Sequence, residues 1–295
     1  MSNKFLSLKS WQSMALGLLC LFLAAQGCSP AKSGKLAAAF AKEGNWDIFV
    51  RENPEGPWVN LTKYPSIERQ PQWSPDGEEL VFISTREFND EIYRMKADGS
   101  NLIRLTHDPY PDKHPRWSPN GKEILFVSER VDKNEELYLM NKEGKDLRRL
   151  THSPSMDTEP DWAPDGKSIV FISDKAGNDD LYLLDLKSKA WKRLSPNPGA
   201  ERTPKFSPDG KAIVFVSDRS GNNELYLFEL ETQKTTRLTE NKAWDGVPSW
   251  VSNQKILFSS NRDGSFELYS LDLKSHETKQ ETHEKNYLLE SDLQR

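Results

Sequence analysis

The chain has 295 residues, of which 29% are charged and 36% are hydrophobic, and its formal net charge at pH 7 is −5. This mildly acidic sequence has no basic stripe. It therefore excludes a nucleic-acid-binding protein, which displaces phosphate counterions with clustered lysine and arginine. Aromatic residues make up 10% of the chain and include nine Trp, enough for a sizeable hydrophobic core.

The first 27 residues are predicted to be a secretory signal peptide. Lys4 and Lys9 provide positive charge, and an apolar run of 12 residues follows at 14–25. About 20 apolar residues are needed to span a bilayer as a helix. A run of the observed length is instead typical of the core of a signal peptide.

Cys28 is predicted to carry a lipid anchor. The residues Ala25-Gln26-Gly27-Cys28 resemble the lipobox of bacterial lipoproteins, in which the cysteine becomes the acylated first residue. The chain has two cysteines, and Cys20 leaves with the signal peptide, so the mature protein keeps one thiol and forms no intramolecular disulfide. Residues 28–35 are then a lipidated cysteine followed by a polar tether.

Ser29, next to the modified cysteine, resembles the sorting pattern of outer-membrane lipoproteins. We therefore expect a bacterial outer-membrane lipoprotein, on the periplasmic face or at the cell surface, that touches the membrane through its anchor only. The alternative is a soluble periplasmic or secreted protein, because Ala25 and Gly27 also suit ordinary signal peptidase at the same bond.

One phrase recurs five times along the chain. It consists of a proline, one variable residue, an aromatic anchor and, in most copies, Ser-Pro-Asp-Gly. The anchors are Trp73, Trp117, Trp162, Phe206 and Trp250, and they are 44, 45, 44 and 44 residues apart. A period of about 40–45 residues that carries short strands predicts a β-propeller, in which each repeat is one four-stranded blade.

The repeat at 204–247 shows how a blade is built. Ser207-Pro208-Asp209-Gly210 is a hairpin turn, in which proline presets φ and glycine accepts a positive φ. The apolar run at 212–216 predicts a strand buried on both faces, as expected where sheets are stacked. A third strand follows at 225–228, and the polar residues 234–239 predict an outer strand that resists edge-to-edge pairing.

The third and fourth strands occur six times, whereas the strand with the aromatic anchor occurs five times. We therefore predict an all-β protein, a six-bladed propeller of four-stranded antiparallel blades over 36–295. The C-terminal stretch 289–294 is predicted to supply the missing innermost strand of the first blade, which otherwise runs over 36–62. Pairing tail with head in this way removes an open sheet edge. The alternative is a frayed C-terminus.

An acidic residue stands five positions before each aromatic anchor. These residues are Glu68, Asp112, Asp157, Glu201 and Asp245. Radial symmetry places them as a partial ring at one mouth of the channel, where they are candidates for a rim that binds a cationic loop of a partner protein. The alternative is that each carboxylate caps its own loop or pairs with an adjacent cation.

Metal, cofactor and catalytic sites are not predicted. His107, His152 and His283 recur after the fourth strands but fall on separate blades, whereas metal ligands must converge on one centre. Direct Ca²⁺ binding by the acidic residues needs about six to eight oxygens, and a rim is too wide for that. Sequence motifs of hydrolases, metalloproteases and phosphate-binding loops are absent.

The repeats resemble the PD40 (WD40-like) repeats of the TolB family. The match is carried by Phe215-Val216-Ser217-Asp218-Arg219, Leu225-Tyr226 and Arg237-Leu238-Thr239, and it recurs in register from about residue 36 to the C-terminus. The resemblance implies a propeller. The family's namesake carries an α/β domain before its propeller and binds the Pal lipoprotein at the propeller mouth; residues 28–35 leave no room for such a domain.

We therefore expect a lipid-anchored, monomeric propeller that acts as a non-catalytic protein-interaction module, with an envelope protein docking at a channel mouth. One alternative is an enzyme, because some PD40-type propellers resemble uronate lyases, which hold a metal and a catalytic base in the channel. Another is a sensor lipoprotein that binds a small ligand in the channel.

Overall fold

The computed structural model describes residues 34–42, 45–53, 56–282 and 290–293. Every regular element among these residues is a β-strand. In this part of the chain, no helix is long and apolar enough to cross a membrane. The predicted signal peptide, Cys28 and His283 lie outside the described residues.

The strands form six four-stranded antiparallel sheets, which are the blades of the propeller. Blades one to three contain β1 (Leu36–Lys42), β2 (Asn45–Arg51), β3 (Val59–Asn60), β4 (Glu68–Trp73), β5 (Glu79–Ser84), β6 (Glu91–Lys96), β7 (Ile103–Arg104), β8 (Asp112–Trp117), β9 (Glu123–Ser128), β10 (Glu136–Asn141) and β11 (Arg148–Arg149). Blades four to six contain β12 (Asp157–Trp162), β13 (Ser168–Ser173), β14 (Asp180–Asp185), β15 (Trp191–Arg193), β16 (Glu201–Phe206), β17 (Ala212–Ser217), β18 (Glu224–Glu229), β19 (Thr235–Arg237), β20 (Asp245–Ser252), β21 (Lys255–Ser260), β22 (Glu267–Asp272) and β23 (Thr278–Gln280), and the last strand is β24 (Glu290–Leu293).

The hydrophobic core lies between the blades. Each neighbouring pair of blades shares one cluster of buried apolar side chains, so six clusters form a closed cycle. Between blades five and six, for example, Val214 packs with Trp250 and Phe258. Full burial of such a side chain stabilises the fold by about 1.5–3 kcal/mol. Each sheet therefore owes much of its stability to contact with both neighbours.

The ring closes as the sequence predicts. Strand β24 pairs antiparallel with β1, from Leu36 opposite Leu293 to Ala39 opposite Glu290. The same register joins Leu80 to Trp73 in blade two, so Leu293 takes the position of an aromatic anchor. On the other side, the apolar residues of blade one pack against those of blade six.

The two faces of the ring carry different connections. The Ser-Pro-Asp-Gly turns and the turns between third and fourth strands lie on one side, which we call the turn face. The connections between blades and the turns between second and third strands lie on the other side, the mouth face. The inner strands, which begin at the mouth face, contact one another around the axis.

Deletion of residues 290–295 is expected to destabilise the protein by about 3–5 kcal/mol, roughly 10 °C in Tm, because it exposes the edge of β1 and the apolar surface beside it. Thermal unfolding followed by circular dichroism measures the change. Deletion of residues 294 and 295 alone is the control and should leave Tm unchanged. Equal Tm values for all three proteins would contradict the role of β24 in closure.

Candidate functional site

The five acidic residues expected to form a docking rim are fully buried. Each is the first residue of an inner strand, at the mouth face as expected. Their side chains are inaccessible to solvent, however, so they do not present an exposed rim to a partner. The sequence spacing predicted their position along the strand correctly, but it did not predict whether their side chains are buried or exposed.

Four of these carboxylates form ion pairs with an arginine from the turn between the second and third strands of the same blade. In blade three, one Nη of Arg130 lies 2.9 Å from both carboxylate oxygens of Asp112. The guanidinium also lies over the rings of Phe126 and Tyr138, at 5.2 and 5.1 Å from their centroids. The equivalent pairs are Glu68 with Arg86, Glu201 with Arg219, and Asp245 with Arg262.

Blade four departs from this pattern. Lys175 stands at the position of the arginine, and its Nζ lies 4.4 Å from the ring centroid of Trp191 instead of binding the carboxylate. Asp157 accepts hydrogen bonds from the hydroxyls of Ser173, at 2.6 Å, and Ser153, at 3.3 Å. This carboxylate is therefore held by neutral donors.

Burial raises the pKa of several of these groups. The loss of hydration raises the pKa of Asp112 and of Asp157 to about 6, although Arg130 acts in the opposite direction on Asp112 and Ser173 does so on Asp157. The same cause raises the pKa of Glu201 to about 7. A charged carboxylate in these positions is tolerated because hydrogen-bond donors surround it.

A second circle of buried carboxylates was missed by sequence reasoning. In blade three, Glu136 begins the third strand and accepts a hydrogen bond from Arg149 of the fourth strand. In blade two, the hydroxyl of Thr106 donates to Glu91. The full set is Asp47, Glu91, Glu136, Asp180, Glu224 and Glu267. An acidic residue directly before each Ile-Tyr, Leu-Tyr or Ile-Phe pair was the signal that could have found it.

The repeated Arg-Leu-Thr residues therefore have a structural role. The threonine hydroxyl also accepts a hydrogen bond from the third-strand backbone, as Thr151 does from the Leu137 amide at 2.9 Å. Blades two to six thus each use two buried acidic residues to fix their mouth-face loops. Because these groups are occupied inside the blade, a docking site must use other residues.

Near the centre of the channel, polar side chains of the described inner strands are buried. At the position before each aromatic anchor, Gln72, Arg116, Lys205 and Ser249 are all at most 4% exposed. Asp161 lies between the two cations, with its Oδ1 3.6 Å from Nε of Arg116 and 3.4 Å from Nζ of Lys205. The register places Asp292 at the same level of the inner strand of blade one.

Nearer the mouth face, hydrogen bonds join neighbouring inner strands. The amide of His114 donates to Gln70 at 2.8 Å, and the amide of Thr203 donates to Glu159 at 2.5 Å. Burial, and then the charge of Arg116, hold the pKa of His114 well below its usual value, so the imidazole is neutral. Within the described residues, no group of three or more His, Cys, Asp or Glu could hold a metal ion.

Four exposed apolar side chains lie on the mouth face, in the loops of blades two and three. Tyr64 is 47% exposed, Ile67 43%, Phe88 101% and Val131 40%, and we call these four residues the apolar patch. Tyr64 and Ile67 belong to the connection from blade one to blade two. The other two belong to the turns between second and third strands. Sequence reasoning missed this surface because it considered only residues that recur in every repeat, and these four do not.

Phe88 has an unfavourable backbone conformation for its residue type. Its φ is 67°, in the left-handed region, and the same position of the turn is occupied by Gly177, Gly221 and Gly264 in blades four to six. A bulky residue in this region costs about 1–2 kcal/mol relative to a right-handed conformation. The turn is held by a hydrogen bond from the Phe88 amide to the Thr85 carbonyl at 2.9 Å. Among the described turns between second and third strands, Phe88 is the only aromatic residue with a positive φ, and its side chain is fully exposed.

The closed ring of six sheets defines the protein as a six-bladed β-propeller. The family model of the TolB beta propeller domain, PD40, matches residues 23–133, 109–196 and 178–294. The chain therefore belongs to the PD40 TolB β-propeller family, as the repeats predicted.

Solved structures show the same fold. TolB from Acinetobacter baumannii is similar at a TM-score of 0.79 and 21% identity, over 88% of this chain and 66% of that chain, slightly less than two thirds of its length. A putative TolB from Agrobacterium tumefaciens gives a TM-score of 0.70 at 19% identity, over 90% and 100% of the two chains. An oligogalacturonate lyase in complex with manganese gives 0.60 at 16% identity, over 88% and 91%. At these identities the similarity concerns the fold alone.

The different partners of Asp112 and Asp157 predict different effects of the same substitution. At pH 8, above the pKa of both groups, Asp112→Asn should destabilise the protein by about 1.5–3 kcal/mol, because Arg130 loses its buried carboxylate partner and keeps only the more exposed Asp108. Asp157→Asn should change stability by less than about 1 kcal/mol, because the amide oxygen can still accept from Ser173 and the amide NH2 can donate to the hydroxyl oxygen of Ser153. Urea unfolding measures both. Equal losses would contradict the assignment of partners.

Proposed function

We propose that this protein is a lipid-anchored, non-catalytic interaction module of the bacterial cell envelope, and that a partner protein docks on the apolar patch of the mouth face. The observation that carries the proposal is Phe88, which is fully exposed in a left-handed conformation that glycine occupies in three other blades. The strained backbone at Phe88 lowers stability, and its exposed ring makes no compensating contact with the core. Contact with a partner protein would explain why an aromatic residue occupies this position.

The exposed aromatic residues support this location. Seven large hydrophobic side chains are exposed among the described residues; four are those of the apolar patch, and the other three, Val59, Leu102 and Leu147, lie at the turn face. The patch contains both exposed aromatic side chains of this set, and that of Phe88 is fully exposed. Aromatic side chains such as Tyr64 and Phe88 are also enriched at the centres of protein interfaces.

The channel supports a binding role more than a catalytic one. The charged side chains near its centre lie beside one another, as Asp161 does beside Lys205, and they have little contact with solvent. The similarity to a manganese-bound lyase concerns the fold. Elemental analysis of purified protein tests the enzymatic alternative, because a stoichiometric divalent metal would favour it over the interaction module.

Phe88→Gly is expected to abolish partner contact without lowering stability, because glycine relieves the left-handed strain while removing the ring. A photo-crosslinking amino acid at position 67 of the patch reports contact in living cells. We expect a discrete adduct that is lost in Phe88→Gly and a Tm that is unchanged or slightly higher. Leu147→Ser, at a residue that is 47% exposed on the turn face, is the matched control and should leave the adduct intact. An adduct that persists in Phe88→Gly would exclude the patch as the docking site.

Cys28→Ser is expected to move the protein from the membrane fraction to the soluble fraction, because a soluble propeller has no other covalent attachment. Fractionation of cells with and without the substitution, followed by mass spectrometry of the N-terminal peptide, measures partition and acylation together. Unchanged partition, or an unmodified cysteine in the wild-type protein, would contradict the anchor.

A further inference from the structure

We propose that the turn face rests against the phospholipid headgroups of the membrane, so that the mouth face and its apolar patch point away from it. The inference rests on the lipid anchor of the proposed function. It goes beyond the expectation that the anchor is the sole contact with the membrane, because it assigns a second contact to the lysines of the turn face.

The first argument is the position at which the tether joins the propeller. Leu36 lies opposite Leu293, as Leu80 lies opposite Trp73, so β1 begins at the turn-face end of its sheet. Lys35, just before the strand, forms an ion pair with Glu52 at 3.0 Å. The chain therefore leaves the propeller from the turn face.

The second argument is length. Six residue steps separate Cys28 from residue 34, the first described residue, and an extended chain spans at most about 3.3–3.6 Å per residue, or about 20 Å. An inner strand of six residues is itself about 20 Å long. A tether of this length can bring the turn face to the bilayer easily. To bring the mouth face there, it would have to run fully extended along the whole blade.

The third argument is the charge that the turn face presents. The turns of blades two to six on this face contain nine lysines and nine acidic residues. The lysines are Lys122, Lys142, Lys145, Lys167, Lys187, Lys189, Lys211, Lys234 and Lys274.

Five of the nine acidic residues are aspartates, and each accepts a hydrogen bond within or beside its own turn. Asp98 binds the Ser100 amide, for example, and Asp165 binds the Lys167 amide. The other three are Asp76, Asp146 and Asp209.

The long acidic side chains of these turns are those of Glu78, Glu143, Glu231 and Glu277. Lysine extends its ammonium group beyond the short aspartates. The turns of this face are neutral overall, with nine lysines and nine acidic residues, and Lys142 and Lys167 lie beside Glu79 and Asp165. Lysine side chains of these turns can therefore extend their ammonium groups to lipid phosphates without a net charge on the face that an anionic membrane would repel.

The cationic side chains of the mouth face have different partners. Its arginines turn inward to the buried carboxylates, and the side chains of Arg86 and Arg130 are only 10% and 15% exposed. Exposed lysines are fewer there, with Lys63, Lys133 and Lys242 as examples. Lys63, Lys133 and Lys242 therefore serve as internal controls when the accessibility of the turn-face lysines is measured.

Lysine acetylation tests the orientation directly. The lipidated protein is reconstituted in vesicles of phosphatidylethanolamine and phosphatidylglycerol, and its labelling by a water-soluble acetylating reagent is compared with that of Cys28→Ser protein in solution. We expect labelling of Lys122, Lys187, Lys211 and Lys234 to fall at least threefold on the vesicles. Labelling of Lys63, Lys133 and Lys242 should stay within a factor of 1.5. Mass spectrometry of the peptides reads out each site.

Equal protection of both sets, or stronger protection of the mouth-face set, would overturn the proposal. If the native protein is not acylated, the mature chain is attached through Cys28, its single thiol, to a maleimide lipid, and the same footprint is measured. Loss of partner contact in Phe88→Gly leaves this measurement unaffected, so failure of the docking site and failure of the orientation are distinguished.

Discussion

The contact of each blade with two neighbours is the constraint on which the rest of the structure depends. A four-stranded sheet whose second strand is apolar on both faces must be covered on both sides, and Phe126, Phe171 and Phe215 are all 0% exposed for this reason. A row of such sheets ends in two uncovered faces unless it closes into a ring. Strand β24 therefore completes the first blade, and the packing of that blade against blade six covers the remaining sheet faces.

The buried carboxylates extend this constraint to the loops. An inner-strand acid such as Asp112 draws the arginine of a nearby turn inward, where the guanidinium covers the phenylalanine and tyrosine of the same blade. The long loops of the mouth face are thereby fixed to the rigid sheets. A rigid loop can display a side chain such as Phe88 in one orientation, and a preorganised surface loses less entropy on binding.

The sequence predicted most of the fold and little of the candidate site. Period and hydrophobicity determine which residues form strands, so six blades and the strand at 290–293 could be predicted. The burial of Glu201 could not be predicted, because it depends on Arg219, which is 18 positions further along in another turn. The apolar patch could not be predicted either. Phe88 is informative only once the conformation of its turn shows that glycine is the ordinary residue there.

The distribution of arginine and lysine connects these features with the two faces. Arginine binds carboxylates through a planar fork and stacks on aromatic rings, which suits the buried mouth-face pairs such as Arg262 with Asp245. Lysine carries a strongly hydrated charge on a flexible chain, which suits exposed turns. A repeat that places arginine in one set of turns and lysine in the other therefore fixes the loops of one face to buried carboxylates and leaves exposed lysines on the other. That division fits the two neighbours that we propose, a folded protein at the mouth face and lipid phosphates at the turn face.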